Sequence, residues 1–238
     1  MTSARGTARP TSPVRRAEVH NRCMPDSLRR HTDYGQTPLT EADVAADPID
    51  QLVMWLEHAE SSGVDEPNAM VLSTIAPDGL PSSRTVLLRG VDKRGLEFFT
   101  SYSSDKGRAL LTHPEVSIVF PWYRLHRQVI VRGTATMVDA AASDAYFAQR
   151  PRGAQIAAVA SDQSRPIASR DELERKVLDV EQRLGDSEPV PRPEDWGGFV
   201  VFPASIEFWQ GRSSRLHDRL RFTRPDAASA WVRERLQP

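Results

Sequence analysis

The sequence predicts an α+β protein in which an antiparallel sheet curls into a small barrel with flanking helices. Short β-prone runs follow one another closely, with glycine-containing turns between them, which is typical of antiparallel hairpins. Two helical patterns interrupt the strands without alternating with them, which disfavours a doubly wound parallel sheet. No glycine-rich phosphate motif opens a helix, which disfavours that fold further.

The first 27 residues predict a disordered, basic arm. Residues 1–31 hold seven arginines against Glu18 and Asp26, with scattered prolines and no apolar periodicity, and such a composition cannot bury a core. The same composition also suits an organellar transit peptide, and Met24 is an alternative start of the protein. Residues 28–46 form a separate segment before the folded domain, which we expect to span residues 47–238.

The predicted domain opens on a helix. Asp47 is a capping residue with Pro48 in the first helical position, and Gly63 marks the end. Between them, one apolar stripe repeats at helical spacing, formed by Ile49, Leu52, Val53 and Leu56. Strands are predicted over residues 69–76, 82–89, 96–100, 116–120 and 128–137.

A second helical block follows these strands. Ser169 with Glu172 three residues later forms a capping box, and Gly185 ends the helix. The apolar stripe of this helix consists of Leu173, Val177, Val180 and Leu184. The last strands are predicted over residues 198–202, 205–209 and 215–222.

Composition excludes several classes of function. With 39% hydrophobic and 26% charged residues the chain resembles an ordinary soluble protein, and no apolar run approaches the ~18 residues of a membrane span. The formal net charge of −1 disfavours nucleic-acid binding, which needs a basic field. Cys23 is the single cysteine, so no internal disulfide forms and a reducing cytoplasm is expected. No cysteine or histidine spacing indicates a metal site.

Three potential cations close to the end of the chain suggest an anion site. If residues 215–222 form a strand, Arg215, His217 and Arg219 project from one face, while Leu216 projects from the other. Like charges in a row repel one another unless an anion such as phosphate lies opposite them. The alternative is the solvated face of an edge strand.

Other basic residues stand where phosphate could bind. Tyr146 and Arg150 are four residues apart in a predicted helix and so share a face, although Arg150 alone also complements the negative end of that helix. Lys106 follows a predicted helix start, where free amides suit an anion, but a lysine there is more often simply solvated. Arg84 and Arg89 have an odd separation, which places them on opposite faces of a regular strand.

No local Ser/His/Asp or Cys/His arrangement is present, so chemistry carried by an organic cofactor is favoured over nucleophilic catalysis. Several segments carry a family resemblance: PNAMVLSTIAPDGLPSSRTVLLRG, FFTSYSSDKG, VSIVFPWYRLHRQVIVRG, YFAQRPRGAQI, SDQSRP and WGGFVVFPASIEFWQGRSSRLHDRLRF. In this order they resemble the pyridoxine 5′-phosphate oxidase family, from about residue 28 to residue 238. The last segment is the most specific, because WGG, IEFWQG and RLHDR occur together.

The resemblance implies a split β-barrel of the FMN-binding type, assembled as a homodimer with FMN at the subunit interface. It implies an FMN site composed of Arg84, Thr85, Val86, Leu87, Leu88, Arg89, Phe99, Thr100, Lys106, Gln128, Gln163, Ser164, Trp209 and Arg219. The substrate would be bound by Arg89, Tyr146, Arg150, Arg215, Leu216 and His217, together with Arg29 and Arg30 of a segment that closes over it, to which Tyr34 also belongs. Arg215 and His217 are the implied catalytic residues.

The activity implied by the resemblance is oxidation of pyridoxamine or pyridoxine 5′-phosphate to pyridoxal 5′-phosphate. Hydride would pass from the 4′-carbon to the flavin, and molecular oxygen would reoxidise the flavin and yield hydrogen peroxide. The alternatives are a non-catalytic protein that binds FMN or pyridoxal phosphate on the same scaffold, and a split-barrel reductase that uses a deazaflavin.

Four positions depart from the pattern of the family. Arg89 replaces a lysine, Ala154 a serine that would bind the substrate phosphate, and Asp105 a residue that is often basic. Val159 replaces a tryptophan, which we expect to be a change in packing. The departures therefore concentrate around the two phosphates, and they leave RLHDR and WQG intact.

Overall fold

The computed structural model describes residues 25–185 and 189–238. The chain divides into two units, residues 1–32 and residues 33–238. The described part of the first unit contains one 3₁₀ turn, Asp26–Leu28. The predicted disordered arm over residues 1–27 lies almost wholly outside the described residues.

The first helix of the second unit confirms the capping prediction. Helix α1 spans Pro48–Ser61, and the side chain of Asp47 accepts a hydrogen bond from the Ile49 amide at 2.8 Å. Its apolar stripe buries Leu52 and Trp55 against the sheet.

Nine strands of the described residues form the sheet. They are β1 (Ala69–Ile75), β2 (Pro81–Leu87), β3 (Gly90–Asp92), β4 (Gly95–Ser101), β5 (Glu115–Trp122), β6 (Arg127–Met137), β7 (Trp196–Gln210), β8 (Asp218–Thr223) and β9 (Val232–Leu236). Their order is β2-β1-β5-β6-β7-β4-β3, with β8 and β9 added to β7. All their pairings are antiparallel. The predicted antiparallel split barrel with flanking helices is therefore confirmed.

One long strand joins the two parts of the sheet, where the sequence predicted two separate strands. The first half of β7, residues 196–201, pairs with β4, and its second half, residues 205–210, pairs with β8. Between the halves the register against β6 shifts at Gly133, where any Cβ would collide with the Phe202 carbonyl oxygen. The bend lets one strand serve both halves of the barrel.

The described residues contain further α-helices after α1. They are α2 (Asp105–Thr112), α3 (Ala140–Gln149), α4 (Arg152–Ala160) and α5 (Arg170–Leu184). Ser104, Asp139 and Ser169 cap three of them through side-chain oxygens, and the Ser169 cap confirms the predicted helix start. Among the described residues, no helix has the length and apolarity needed to cross a membrane.

Two apolar clusters form the interior. The larger lies inside the barrel and is built from alternate residues of the strands, because successive side chains of a strand point to opposite faces. The smaller joins α3, α4 and α5 to the start of β7, with Phe147, Ile156, Val180 and Trp196 at its centre. Val159 packs at the edge of this cluster, as expected for a packing change.

Candidate active site

A cavity of about 260 Å³ lies where β2, β4, α2 and α3 meet. It is lined by Thr85, Val86, Leu87, Arg89, Phe99, Thr100, Lys106, Tyr146, Arg150, Gln163 and Trp196. We call it the cation cavity, because the described residues that line it include three cations and no carboxylate. Ten of these residues are among the predicted site residues, so the fold brings together residues that are up to 78 positions apart, from Thr85 to Gln163.

Lys106 is held in this cavity by polar neighbours that leave its charge uncompensated. Its Nζ donates to Thr100 Oγ1 at 3.1 Å and to Gln163 Oε1 at 3.0 Å. Burial lowers the pKa of Lys106 below its ordinary value of 10.5, and the charge of Arg84 lowers it further, while Asp105 acts in the opposite direction. An anion in the cavity would stabilise the ammonium form.

Arg150 supplies a buried donor with no partner. It follows the end of α3 in extended conformation, so it is not in the helix as predicted, yet it lines the same cavity as Tyr146. Its guanidinium lies 4.6 Å from the centre of the Trp196 ring. Its Nη1 is buried without a hydrogen-bond partner, and burial lowers its pKa. A buried unsatisfied donor is costly, so this atom marks a place for an acceptor.

The aromatic wall of the cation cavity is a stack. The rings of Phe99 and Tyr146 are 3.8 Å apart at 13°, and Trp196 lies parallel to Tyr146 at 6.3 Å. Trp196 was not among the predicted site residues, although the quoted WGG segment contains it. Such a wall can pack against a planar ring while the cations bind its phosphate.

Arg84 lies outside the cation cavity. It donates to the Leu72 carbonyl and to the hydroxyls of Thr74 and Ser82, at 2.8–3.1 Å, and it lines a neighbouring cavity of about 320 Å³. Arg89 follows β2, which ends at Leu87, so the prediction that both arginines lie on opposite faces of one regular strand does not apply. Asp105 lines the neighbouring cavity as well and is paired with Arg108 at 2.5 Å.

Two further residues of the predicted FMN site adjoin the cation cavity without lining it. Leu88 is buried in the barrel core, and its amide donates to Asn68. Ser164 follows Gln163 with a φ of 69°, in the left-handed region.

A second group of predicted residues lies around Trp209. Gln128 and Trp209 line a small cavity of about 120 Å³ together with Tyr34 and His126. The His217 ring lies 4.7 Å from Trp209 and 5.6 Å from Tyr34, measured between ring centres. None of these residues lines the cation cavity, so within one chain the predicted site falls into two groups.

The loop before β8 corrects the prediction of a strand over residues 215–222. Ser213–Arg215 is a 3₁₀ turn in which Ser214 and Arg215 have φ values of 56° and 61°. Strand β8 begins only at Asp218, so Arg215, His217 and Arg219 do not share a strand face. Leu216 is 69% exposed rather than packed.

Arg219 has a protein partner rather than a free guanidinium. Its Nε and Nη2 donate to the two carboxylate oxygens of Glu207 at 2.8 and 3.1 Å. The row of three cations therefore does not form, and the repulsion that suggested an opposing anion is absent there. The proposed role of Arg219 at FMN stays a prediction.

His217 is held through its Nδ1. That atom accepts a hydrogen bond from the Arg212 backbone amide at 3.1 Å. Burial lowers the pKa of His217 below 6.5, and the charge of Arg215 adds to this effect. Arg29 and Arg30 belong to the first unit, where both are exposed, and their role at substrate stays a prediction.

Comparison with known proteins identifies the family. The family model described as pyridoxamine 5′-phosphate oxidase matches residues 56–184, and the pyridoxine 5′-phosphate oxidase C-terminal dimerisation region matches residues 196–238.

Within residues 25–185 and 189–238 no cluster of three histidine, cysteine or acidic side chains could hold a metal ion.

Curated relatives are similar over nearly their whole length. A pyridoxine/pyridoxamine 5′-phosphate oxidase of Rubrobacter xylanophilus is 50% identical over 220 residues, which is 90% of this chain and all of the relative. One of Salinibacter ruber is 48% identical over 206 residues, 87% of this chain and 96% of the relative.

Solved structures share the fold. PhzG from Burkholderia lata, in complex with tetrahydrophenazine-1-carboxylic acid, has a TM-score of 0.79 at 30% identity and covers 86% of this chain and 100% of its own. An FMN-binding protein from Nostoc punctiforme has a TM-score of 0.66 at 18% identity, covering 82% and 100%. From these matches and from the relatives at about half identity, the chain belongs to the pyridoxamine 5′-phosphate oxidase family.

Proposed function

We propose that this protein oxidises pyridoxamine 5′-phosphate or pyridoxine 5′-phosphate to pyridoxal 5′-phosphate, with FMN as cofactor, oxygen as electron acceptor and hydrogen peroxide as product. The observation that carries the proposal is the cation cavity, whose described lining residues include Arg89, Lys106 and Arg150 but no carboxylate, and in which Arg150 Nη1 has no partner among the described residues. The names of the relatives at about half identity support the same reaction.

The residues around Lys106 fit the phosphate of FMN. Lys106 supplies a desolvated positive charge, and Thr100 and Gln163 fix its position. The nearby strand residues Thr85 to Leu87 would border the flavin ring. When bound, FMN supplies a ring that takes up hydride from carbon and returns the electrons to oxygen.

The substrate phosphate is assigned to Arg89, Tyr146 and Arg150. The guanidinium of Arg150 and the phenol of Tyr146 line one side of the cavity, so a phosphate there satisfies the buried Nη1. Ala154 lies beside Arg150 in an adjoining cavity and supplies no hydroxyl. The phosphate is therefore held mainly by charge.

Arg215 and His217 are assigned to the reacting end of the substrate. Binding at two ends aligns the 4′-carbon, and alignment is what the protein contributes to a reaction carried by a cofactor. His217 is fixed between Trp209 and Tyr34, so its ring has a defined orientation.

The two groups of site residues are proposed to meet across a homodimer. In one chain the cation cavity and the Trp209 group have no lining residue in common. Trp209, Arg215 and His217 all lie in the region that matches the family's dimerisation region. One protomer would thus supply the phosphate-binding residues and its partner Trp209 and His217. A cytoplasmic setting remains part of this proposal.

Oxygen consumption and peroxide formation test the proposal on FMN-loaded protein. Both should appear with pyridoxamine 5′-phosphate or pyridoxine 5′-phosphate. Tetrahydrophenazine-1-carboxylic acid, the ligand in the PhzG structure, is assayed separately as an alternative substrate. Stable FMN binding without peroxide from either pyridoxine derivative would indicate the non-catalytic alternative.

The same assay tests the assigned catalytic residues. Arg215→Ala and His217→Ala should each lower turnover by roughly 100-fold or more. Arg221→Ala removes a surface arginine of β8 that pairs with Glu234 and is the matched control. Near-normal turnover in both test variants would refute the assignment.

A further inference from the structure

Arg212 makes two bonds that close the loop of residues 211–218. Its backbone amide donates to His217 Nδ1 at 3.1 Å, and its Nη1 donates to Asp218 Oδ2 at 2.7 Å. One residue therefore holds both the imidazole and the carboxylate that follows it in the chain.

The bond to Nδ1 determines where the proton of His217 lies. A backbone N–H can only donate, so Nδ1 must be the acceptor and carry the lone pair. In a neutral imidazole the hydrogen is then on Nε2. A proton on Nδ1 would face the Arg212 amide and break this bond. The charged groups of the loop do not favour a proton on Nδ1. Arg212 and Arg215 are cations, and the carboxylate of Asp218 is already paired with Arg212 and Arg235.

Asp218 is the common acceptor of three separate segments. Its Oδ2 accepts from the Leu39 amide at 3.1 Å as well as from Arg212, and its Oδ1 accepts from Arg235 Nη1 at 2.7 Å. Burial by itself would raise its pKa, but these donors together lower it below the ordinary value, so the carboxylate stays ionised. Arg235 also binds Glu41 through two nitrogens. Asp218 thus ties the loop to the segment after Tyr34 and to β9.

The loop needs such restraints. Ser214 and Arg215 are consecutive non-glycine residues in the left-handed region, with φ values of 56° and 61°. This conformation is unfavourable for both residues and persists only where the surroundings over-determine it. The bonds from Arg212 and Asp218 enclose this strained turn and so hold His217 at its far end.

We propose that Arg212 and Asp218 are positioning residues that hold His217 as the tautomer with hydrogen on Nε2. His217 then acts toward the substrate as a neutral hydrogen-bond donor, and neither ring nitrogen is free to accept a proton while the loop is closed. This role rests on the proposed function, in which His217 faces the substrate. It extends that function by assigning the direction of the hydrogen bond and the residues that impose it.

The tautomer can be measured without turnover. In FMN-loaded protein labelled with ¹⁵N-histidine, two-bond proton–nitrogen correlation spectra at pH 7 should show the Nδ1 of His217 as unprotonated and Nε2 as protonated. The signal is assigned by its loss in His217→Gln. A ring with hydrogen on Nδ1, or a doubly protonated ring, overturns the proposal.

Substitution of the carboxylate separates positioning from general stability. Asp218→Asn should show a mixture of tautomers and a fall in kcat of about 10-fold or more, with KM changed less than about threefold, because the cation cavity is untouched. Glu234→Gln removes a carboxylate from the same two strands, where it pairs with Arg221, and should leave both quantities unchanged. Unchanged kcat and tautomer in Asp218→Asn would contradict the proposal.

A second pair of variants applies if Asp218→Asn does not fold. Arg212→Lys keeps a charged donor for Asp218 and should restore most of the turnover lost in Arg212→Ala. Equal turnover of these two variants would contradict the role of the side chain. Absence of peroxide from both substrates in the wild-type protein, with the expected tautomer present, would refute the proposed function and the role of His217 toward the substrate, and would leave standing the tautomer and the residues that impose it.

Discussion

The cation cavity and the loop of residues 211–218 differ in whether their arginines are paired with carboxylates. In the cavity, Arg89 and Arg150 line a space whose lining, in the part of the chain that the structure describes, holds no carboxylate and leaves Arg150 Nη1 buried without a partner. In the loop, Arg212 is paired with Asp218 at 2.7 Å. The residues that line the cavity come mostly from strands and helices, whereas the loop contains two left-handed residues. The difference indicates that cations without a carboxylate partner suit a ligand, while a cation paired with a carboxylate holds the backbone. A buried nitrogen without a partner does not by itself separate the two cases, because Arg212 Nε is one as well.

The largest expected effect on this comparison comes from Arg150→Met, which removes a cation from the cavity. Loss of a charged donor to the substrate phosphate should raise KM for pyridoxamine 5′-phosphate roughly 10- to 100-fold, with kcat changed far less. Because the unsatisfied Nη1 is removed, the free energy of unfolding should not fall by more than about 1 kcal/mol. Steady-state kinetics and urea denaturation measure the two quantities. Arg221→Met is the control, and an unchanged KM in Arg150→Met would argue that the phosphate binds elsewhere.

The next effect concerns the pH dependence of FMN binding. Only the ammonium form of Lys106 attracts the phosphate, and burial lowers its pKa in the free protein below 10.5. Affinity for FMN, measured from neutral pH up to pH 10.5, should therefore fall as pH rises through this lowered pKa. Bound phosphate raises the pKa again, which spreads the fall over a wider range.

Lys106→Arg and Lys106→Met provide the matched comparison. Arginine stays charged throughout this range, so its variant should bind FMN with little pH dependence, and the methionine variant should bind weakly at every pH. Fluorescence titration of FMN gives the dissociation constants. A wild-type protein whose affinity is flat over this range would contradict the assignment of Lys106.

A smaller effect is expected from Asp105→Arg. The substitution replaces a negative charge near Lys106 and Arg84 by a positive one, and should tighten FMN binding about two- to fivefold. The gain should shrink at high salt, because Asp105 is exposed and its interactions are screened. Asp50→Arg, in the first turn of α1, is the control of equal charge. Equal gains in both variants would show only an effect of net charge.

The smallest effect tests the strain of the loop. Ser214→Gly permits the φ of 56° without steric cost and should raise the free energy of unfolding by about 1 kcal/mol at most. Turnover should fall modestly, since the loop gains freedom. Ser83→Gly, in β2, should instead lower stability. Thermal denaturation measures the stability of both variants. A destabilised Ser214→Gly variant would show that the left-handed turn carries no strain.

Prediction from sequence succeeded where local patterns control the structure. The caps at Asp47 and Ser169 and the strand at residues 69–75 follow from hydrogen bonding and β-propensity within a few residues. The strand predicted over residues 215–222 begins only at Asp218, because the residues before it form a loop closed by Arg212, a contact that no local pattern reveals. Arg150 was likewise placed in a helix that ends one residue earlier.

The sequence by itself determined the antiparallel class of the fold, the starts of α1 and α5 and, through its resemblance, the family and ten of the eleven residues that line the cation cavity. Only the tertiary structure decided which charges are paired: Arg219 with Glu207 and Arg212 with Asp218, but not Arg150 Nη1. The reason is physical. Whether an arginine is satisfied depends on partners brought close by the sheet register and the loop conformation, and its own neighbours in sequence do not contain that information.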